Sequence, residues 1–305
     1  MITNESIASG TRVKHKEYGI GIVTEINGDK IYVSFDIGLR IFPFPKAFIK
    51  GDLVCYEIKL SPSEKSAPSG SVEKFSIPDA LAAQLDIYFE QFPMRWDQEK
   101  YLWKSVQTFQ KRWDPDASDF SGMIYEATSD ADYLMNSTYY SPRDMIVELA
   151  RHKPSYVISM FKRLFDENID VSVRAEQFFK DADNIRTEFK GKYLNRNYQT
   201  MNAVSTYLWL MYPNKYYFYK YSVAQAVSSK TGLSYDAGST EAEKMISQFK
   251  IMDKISAALR SDPRSRKILD PRLDETLYYD DQLHCMAMDF AFFIRPCYAK
   301  GNHNN

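Results

Sequence analysis

Two periods of hydrophobicity divide the chain. From Arg12 to Phe48 apolar and polar residues alternate in short runs bounded by turn residues, the pattern of half-buried strands. Arg12-Val-Lys-His15 and Gly19-Ile-Gly-Ile-Val-Thr-Glu-Ile26 predict two strands, and Asn27-Gly28 after them is a hairpin signal. Lys30-Ile-Tyr-Val-Ser-Phe35 follows with Ile31, Val33 and Phe35 on one face, and Asp36-Ile-Gly38 turns the chain into Leu39-Arg-Ile-Phe42, which Pro43 and Pro45 end. Strands this short and this closely spaced can close into a small barrel.

The period changes after Ser61-Pro-Ser-Glu-Lys-Ser-Ala-Pro-Ser-Gly-Ser71, a small, polar stretch with linker composition. Beyond it apolar residues recur every three or four positions. Ala80 to Phe92 predicts one helix, and Leu102, Val106, Phe109 and Trp113 form the stripe of another. Trp96, Trp103 and Trp113 are expected in the core. Ser141-Pro142 reads as N-cap and first helical residue, with Asp144 at capping-box spacing. Pro154 opens the next helix (Val157, Phe161, Leu164, Phe165 inward), and a third uses Ala175, Phe179, Ala182, Ile185 and Phe189. Met201, Val204, Leu208 and Met211 make an amphipathic helix that stops before Pro213, and Lys215 to Tyr221 leads into a helix over Val223 to Lys230. Two long helices, one with Met245, Phe249 and Met252 inward and one with Ala287, Phe290 and Ile294, complete the body. The expected fold is α+β: an N-terminal barrel at 1–60, a linker at 61–76, a mainly α-helical domain at 77–298 and a loose tail at 299–305.

Composition adds limits. At 305 residues there is room for two domains, and 12 glycines are few for a Gly-rich nucleotide-binding scaffold. The polar start Met1-Ile-Thr-Asn-Glu-Ser has no leader pattern, and no run approaches the ~20 apolar residues a membrane-spanning helix needs. Cys55, Cys285 and Cys297 are odd in number and lack metal-type pairing, which suits reduced thiols in a cytoplasm.

Net charge is −1, yet the distribution is uneven: Ser141 to Lys230 holds 14 Lys/Arg against 9 Asp/Glu. Within it, Lys190 to Lys230 has six basic residues, no acidic one and eight tyrosines, four of them in Asn214-Lys-Tyr-Tyr-Phe-Tyr-Lys-Tyr221. Rings with a polar end, interleaved with phosphate-seeking cations, suit a polyanion that carries flat bases. Lys192, Arg196, Lys215 and Lys220 are the candidate phosphate contacts. Tyr216, Tyr217 and Tyr219 are candidates for stacking or for packing, since a short segment cannot turn all three outward.

Signatures of catalysis are sparse. Gly191-Lys192 lacks the upstream glycine of a phosphate loop, and no Gly-x-Ser-x-Gly, His-Glu-x-x-His or Cys-x-x-Cys occurs. His284 and Cys285 are helix neighbours about 100° apart and make no dyad. Asp116 with Glu188 and Lys190 has the order of a metal-dependent nuclease but not its strand context. Asp280, Asp281 and Asp289 read as helix N-terminal charge and surface solvation. No enzymatic activity, cofactor or metal is expected from these residues.

Two stretches carry resemblances. His15…Tyr18-Gly-Ile-Gly-Ile-Val23, Ile31-Tyr-Val-Ser-Phe35 and Phe42-Pro-Phe44-Pro45 resemble the Tudor-like barrels of bacterial RNA-polymerase-interacting CarD and transcription-repair-coupling proteins. Tyr139-Tyr-Ser-Pro-Arg-Asp-Met-Ile-Val-Glu-Leu149, Met160-Phe-Lys-Arg-Leu-Phe165 and Tyr212-Pro-Asn-Lys-Tyr-Tyr-Phe-Tyr-Lys-Tyr221 resemble the region ahead of the motor in McrB-type modification-dependent restriction GTPases. That second resemblance covers roughly Ile77 to Tyr298. It implies a non-enzymatic DNA-binding specificity module of a type IV restriction or related defence system, reading modified or unmodified DNA. An AAA+ GTPase motor and a McrC-like nuclease would be partners, in trans or in a missing part of the chain, because no motor motif is present here. Two alternatives stand beside it: an adaptor that docks a motor, helicase or RNA polymerase, and a metal-dependent nuclease.

Overall fold

The computed structural model describes residues 12–35, 38–55, 77–137 and 139–295. The linker at 61–76 and the tail at 299–305 lie outside the described residues, as does Cys297. The chain separates into two compact units, Met1–Glu73 and Lys74–Asn305.

The first unit is an antiparallel sheet of five strands: β1 (Arg12–His15), β2 (Gly19–Asn27), β3 (Lys30–Phe35), β4 (Gly38–Pro43) and β5 (Leu53–Cys55), in the order β4-β3-β2-β1-β5. A single helical turn, α1 (Lys46–Ile49), precedes β5. The hairpin between β2 and β3 turns at Gly28, whose φ of 60° is the left-handed conformation that glycine adopts without a Cβ clash. Period-two alternation does the rest: Val13, Val23, Ile31 and Val33 meet on one face and, with Phe44, Phe48 and Leu53, form a small core of their own. Among the described residues the sheet is open, since no pairing joins β4 to β5. The closed barrel expected from the sequence is not among the strand pairings.

The second unit is helical: α2 (Asp79–Glu99), α3 (Tyr101–Arg112), α4 (Phe120–Ala127), α5 (Asp132–Met135), α6 (Pro142–His152), α7 (Pro154–Leu164), α8 (Val171–Arg186), α9 (Met201–Met211), α10 (Tyr221–Thr231), α11 (Glu241–Ser261), α12 (Pro263–Leu269) and α13 (His284–Ile294). With the sheet it makes an α+β chain dominated by helix. No described helix is long and apolar enough to cross a membrane.

Helix α2 runs seven residues past the expected end at Phe92, with Pro93 inside it. Ser141 is the N-cap of α6 with Pro142 after it, but its side chain makes no capping bond, so the expected capping box is not formed. The last helix, α13, is an 11-residue segment rather than a long one, and α9 and α13 are buried nearly all round. Trp103 is fully buried, with Trp96 and Trp113 packed against the core.

Candidate functional site

The tyrosine-rich run lies between α9 and α10 and is interior. Tyr217 is 0% exposed, and Tyr216, Phe218 and Tyr219 are buried beside it. A buried loop must find partners for its peptide groups, and three side chains on α9 and α11 supply them. Ser205 Oγ accepts from the Tyr219 N–H at 2.9 Å, and Asn202 Nδ2 donates to the Tyr219 carbonyl at 3.0 Å. Gln248 brackets the same residue, donating to the Phe218 carbonyl at 2.8 Å and accepting from the Lys220 N–H at 3.1 Å.

Two of the ring hydroxyls end on polar side chains of other segments. Tyr217 donates to Asp253 Oδ1 at 3.0 Å, and its hydroxyl lies 2.9 Å from His284 Nε2, with the two rings stacked 4.2 Å apart. Tyr216 donates to Glu167 Oε1 at 2.8 Å. Tyr216, Tyr217 and Tyr219 are therefore packing residues, and stacking on a base is closed to all three.

The cations of the same stretch separate. Lys215 pairs with Glu167, which also takes Arg174 at 2.5 Å; those donors, together with Tyr216, outweigh the burial that would raise the Glu167 carboxyl and hold it below its usual range. Lys192 lies over the Tyr193 ring and lines a small hollow with Glu148 and Arg151. Arg196 donates to the Tyr139 carbonyl, its guanidinium 4.6 Å over Tyr198. Only Lys220 faces a large cavity.

That cavity, about 580 Å³, gathers residues from distant segments: Lys220 before α10, Arg95 on α2, Arg295 after α13, and the aromatic rings of Tyr101, Tyr133 and Phe292. Tyr133 stands 86% exposed at its rim, 5.7 Å from Tyr101. The wall is preorganised. Tyr140, whose hydroxyl burial pushes up to about 12, lies 3.0 Å from Thr200 Oγ1 and donates to Asn202 Oδ1 at 3.0 Å. Asn202 in turn holds Tyr219, so cavity wall and buried loop are one hydrogen-bonded assembly.

The charges of the cavity differ in their commitments. Arg95 is tied to Glu99 at 3.1 Å and to buried Asp289 at 3.0 Å; burial opposes its charge, and Asp289 more than restores it. Asp289 also accepts from Tyr88 at 2.8 Å. It is thus an interior anchor and not the surface-solvating residue expected. Asp280 is likewise buried, accepting from the Met286 N–H at 2.9 Å near the start of α13.

Lys220 and Arg295 have no ion-pair partner among the described residues. Burial first, and the Arg295 charge second, lower the Lys220 ammonium below its usual range. Two cations that repel one another without a counter-charge favour an anion between them. Lys220 and Arg295 also line a second hollow, of about 790 Å³, with Ser222, Gln225, Ser229 and Tyr235. Among the described residues no group of three His, Cys, Asp or Glu is placed to hold a metal. Asp116 pairs loosely with Lys162, and Glu188 pairs with Lys153.

Arg95, Tyr101, Tyr133, Asn202 and Arg295 were not legible as site residues, because five separate segments bring them together. The one available signal was the polar pair Thr200 and Asn202 at the start of the mainly apolar α9. In comparisons with known proteins, no family model, curated protein or solved structure matches the chain.

Proposed function

We propose that the helical unit binds nucleic acid at the Lys220–Arg295 cavity and serves as the specificity module of a McrB-like restriction or defence system. The observation that carries this reading is the pair of uncompensated cations on the edge of a cavity walled by aromatic rings and by amide and hydroxyl groups. Cations hold phosphate, rings stack on bases and amides address base edges. The ligand site thereby moves from the tyrosine run to its flank: Lys220 remains, Arg295 and Tyr133 join it, and Lys215 leaves it. Arg196 stays near the site through Tyr139 and Tyr198, whose ring is 6.1 Å from that of Tyr140. The motor and the nuclease would be supplied by partners.

The sheet unit, in its proposed Tudor-like form, would dock such a partner. Support comes from its aromatic cluster, where His15 stacks on Tyr18 at 4.3 Å, Phe42 lies 5.3 Å from His15, and Arg40 sits 5.5 Å over Tyr18.

The test is binding of labelled DNA by the whole chain across a salt series. Lys220→Glu and Arg295→Glu should each weaken binding by at least about tenfold and flatten the salt dependence by roughly one phosphate contact. Lys215→Gln should leave affinity within about twofold, because its charge serves Glu167. Affinity indifferent to salt and to both reversals would remove the reading.

A further inference from the structure

The two hollows share a boundary. Lys220 and Arg295 line both, so the cation pair forms a ridge with a cavity on either side. The cavities differ in chemistry. On one side Tyr101, Tyr133 and Phe292 provide flat faces, and Asn136, Ser137, Thr200 and Asn202 provide amides and hydroxyls. On the other, Ser222, Gln225 and Ser229 provide hydroxyls and an amide, with Tyr235 as the only ring.

We propose that the ligand is an unpaired strand, with one phosphodiester seated on the Lys220–Arg295 ridge and the two nucleosides it joins lowered into the cavities on either side. This rests on the nucleic-acid reading above and narrows it. A phosphodiester is the group that puts one negative charge between two flat heterocycles, which is the order of the features across the ridge. Each hollow, at about 580 and about 790 Å³, has room for a base with its sugar. A base inside a duplex is stacked on its neighbours and has its pairing edge occupied, so filling both hollows with successive bases requires a strand that is already open. Rings on either side stack on any base, and the amides and hydroxyls beside them can choose among bases.

The experiment compares a single-stranded oligonucleotide of roughly twelve residues with its duplex by fluorescence anisotropy on the full chain, with an unlabelled dinucleoside monophosphate as competitor. The single strand should bind at least about tenfold more tightly than the duplex, and the dinucleotide should compete. Tyr133→Ala and Gln225→Ala, both at exposed positions, should each weaken single-strand binding about threefold to tenfold. Tyr133→Ala should do so for every base, and Gln225→Ala most for the preferred one. A duplex bound as tightly as the single strand, with Lys220→Glu still abolishing binding, would overturn the open-strand inference and leave the nucleic-acid reading standing. Equal loss with either substitution set against a dinucleotide that does not compete would overturn the two-sided seating. Binding of neither form would overturn both proposals.

Discussion

Arg174 is a buried cation of the helical unit committed on three sides. Only 2% exposed, it donates to the Leu164 carbonyl at 2.7 Å, to the Tyr216 hydroxyl and to Glu167. It joins the tyrosine loop to the end of α7 and the start of α8. Arg174→Ala leaves Glu167 half-buried with one remaining cation, and removing one partner of a buried pair costs about 3 to 5 kcal/mol. Chemical denaturation should show a loss of that size; a loss below about 1 kcal/mol would mean that Lys215 alone balances Glu167.

Two buried groups near the start of α13 oppose one another in their response to pH. Burial pushes the Asp280 carboxyl up to about 6, so the folded state holds a proton that the unfolded chain has released; this contribution declines as pH rises from about 4 to 6. Burial pulls His284 down to about 4, so between about 4 and 6.5 the unfolded chain holds the extra proton; this contribution grows as pH rises. Each spans on the order of 2 to 3 kcal/mol. Relative to the parent chain, Asp280→Asn should gain a steeper rise of stability with pH across this window, and His284→Gln should lose some of the existing rise. Urea titrations at several pH values give the slopes, and parallel curves for all three proteins would refute both assignments.

At the scale of elements, helix ends are where local chemistry is most visible. Thr240 caps α11 in a full capping box: its hydroxyl accepts from the Glu243 N–H at 3.1 Å, and Glu243 accepts from the Thr240 N–H at 3.0 Å. Thr240→Ala should cost about 1 kcal/mol. Gly232 ends α10 at φ 72°, with open space where a Cβ would stand apart from a 3.9 Å contact to Pro78. Gly232→Ala should therefore cost only the backbone term, about 1 kcal/mol. Equilibrium unfolding of each variant checks the values, and a much larger loss at Gly232 would point to packing instead.

Among the described residues there are two cores that share no residue, one in the sheet and one in the helices. All four tryptophans, at 96, 103, 113 and 209, belong to the helical unit. Ile31→Ala removes a fully buried side chain from the sheet core and should destabilise that unit by about 2 to 5 kcal/mol. Tryptophan fluorescence should nevertheless report an unchanged midpoint, while Arg174→Ala should move it. A fluorescence midpoint that follows Ile31→Ala would show that the two units unfold as one.

Local pattern by itself determined the order of elements: alternation at Ile31 and Val33, the turn at Gly28, proline at the first position of α6 and α7, and the three- and four-residue stripes that became α3, α7 and α9. These depend on neighbours a few positions away, and side-chain period and backbone geometry are coupled at that range. Tertiary structure alone decided which face of the tyrosine run meets water. A ring with a hydroxyl suits either an interface or an interior that offers a partner, and the partners are Glu167, Asp253 and His284, tens of residues distant. The same holds for the cavity: Lys220 was visible as a basic residue, but its lack of a counter-charge and its pairing with Arg295 arise only when α2, α9, α10 and α13 have packed.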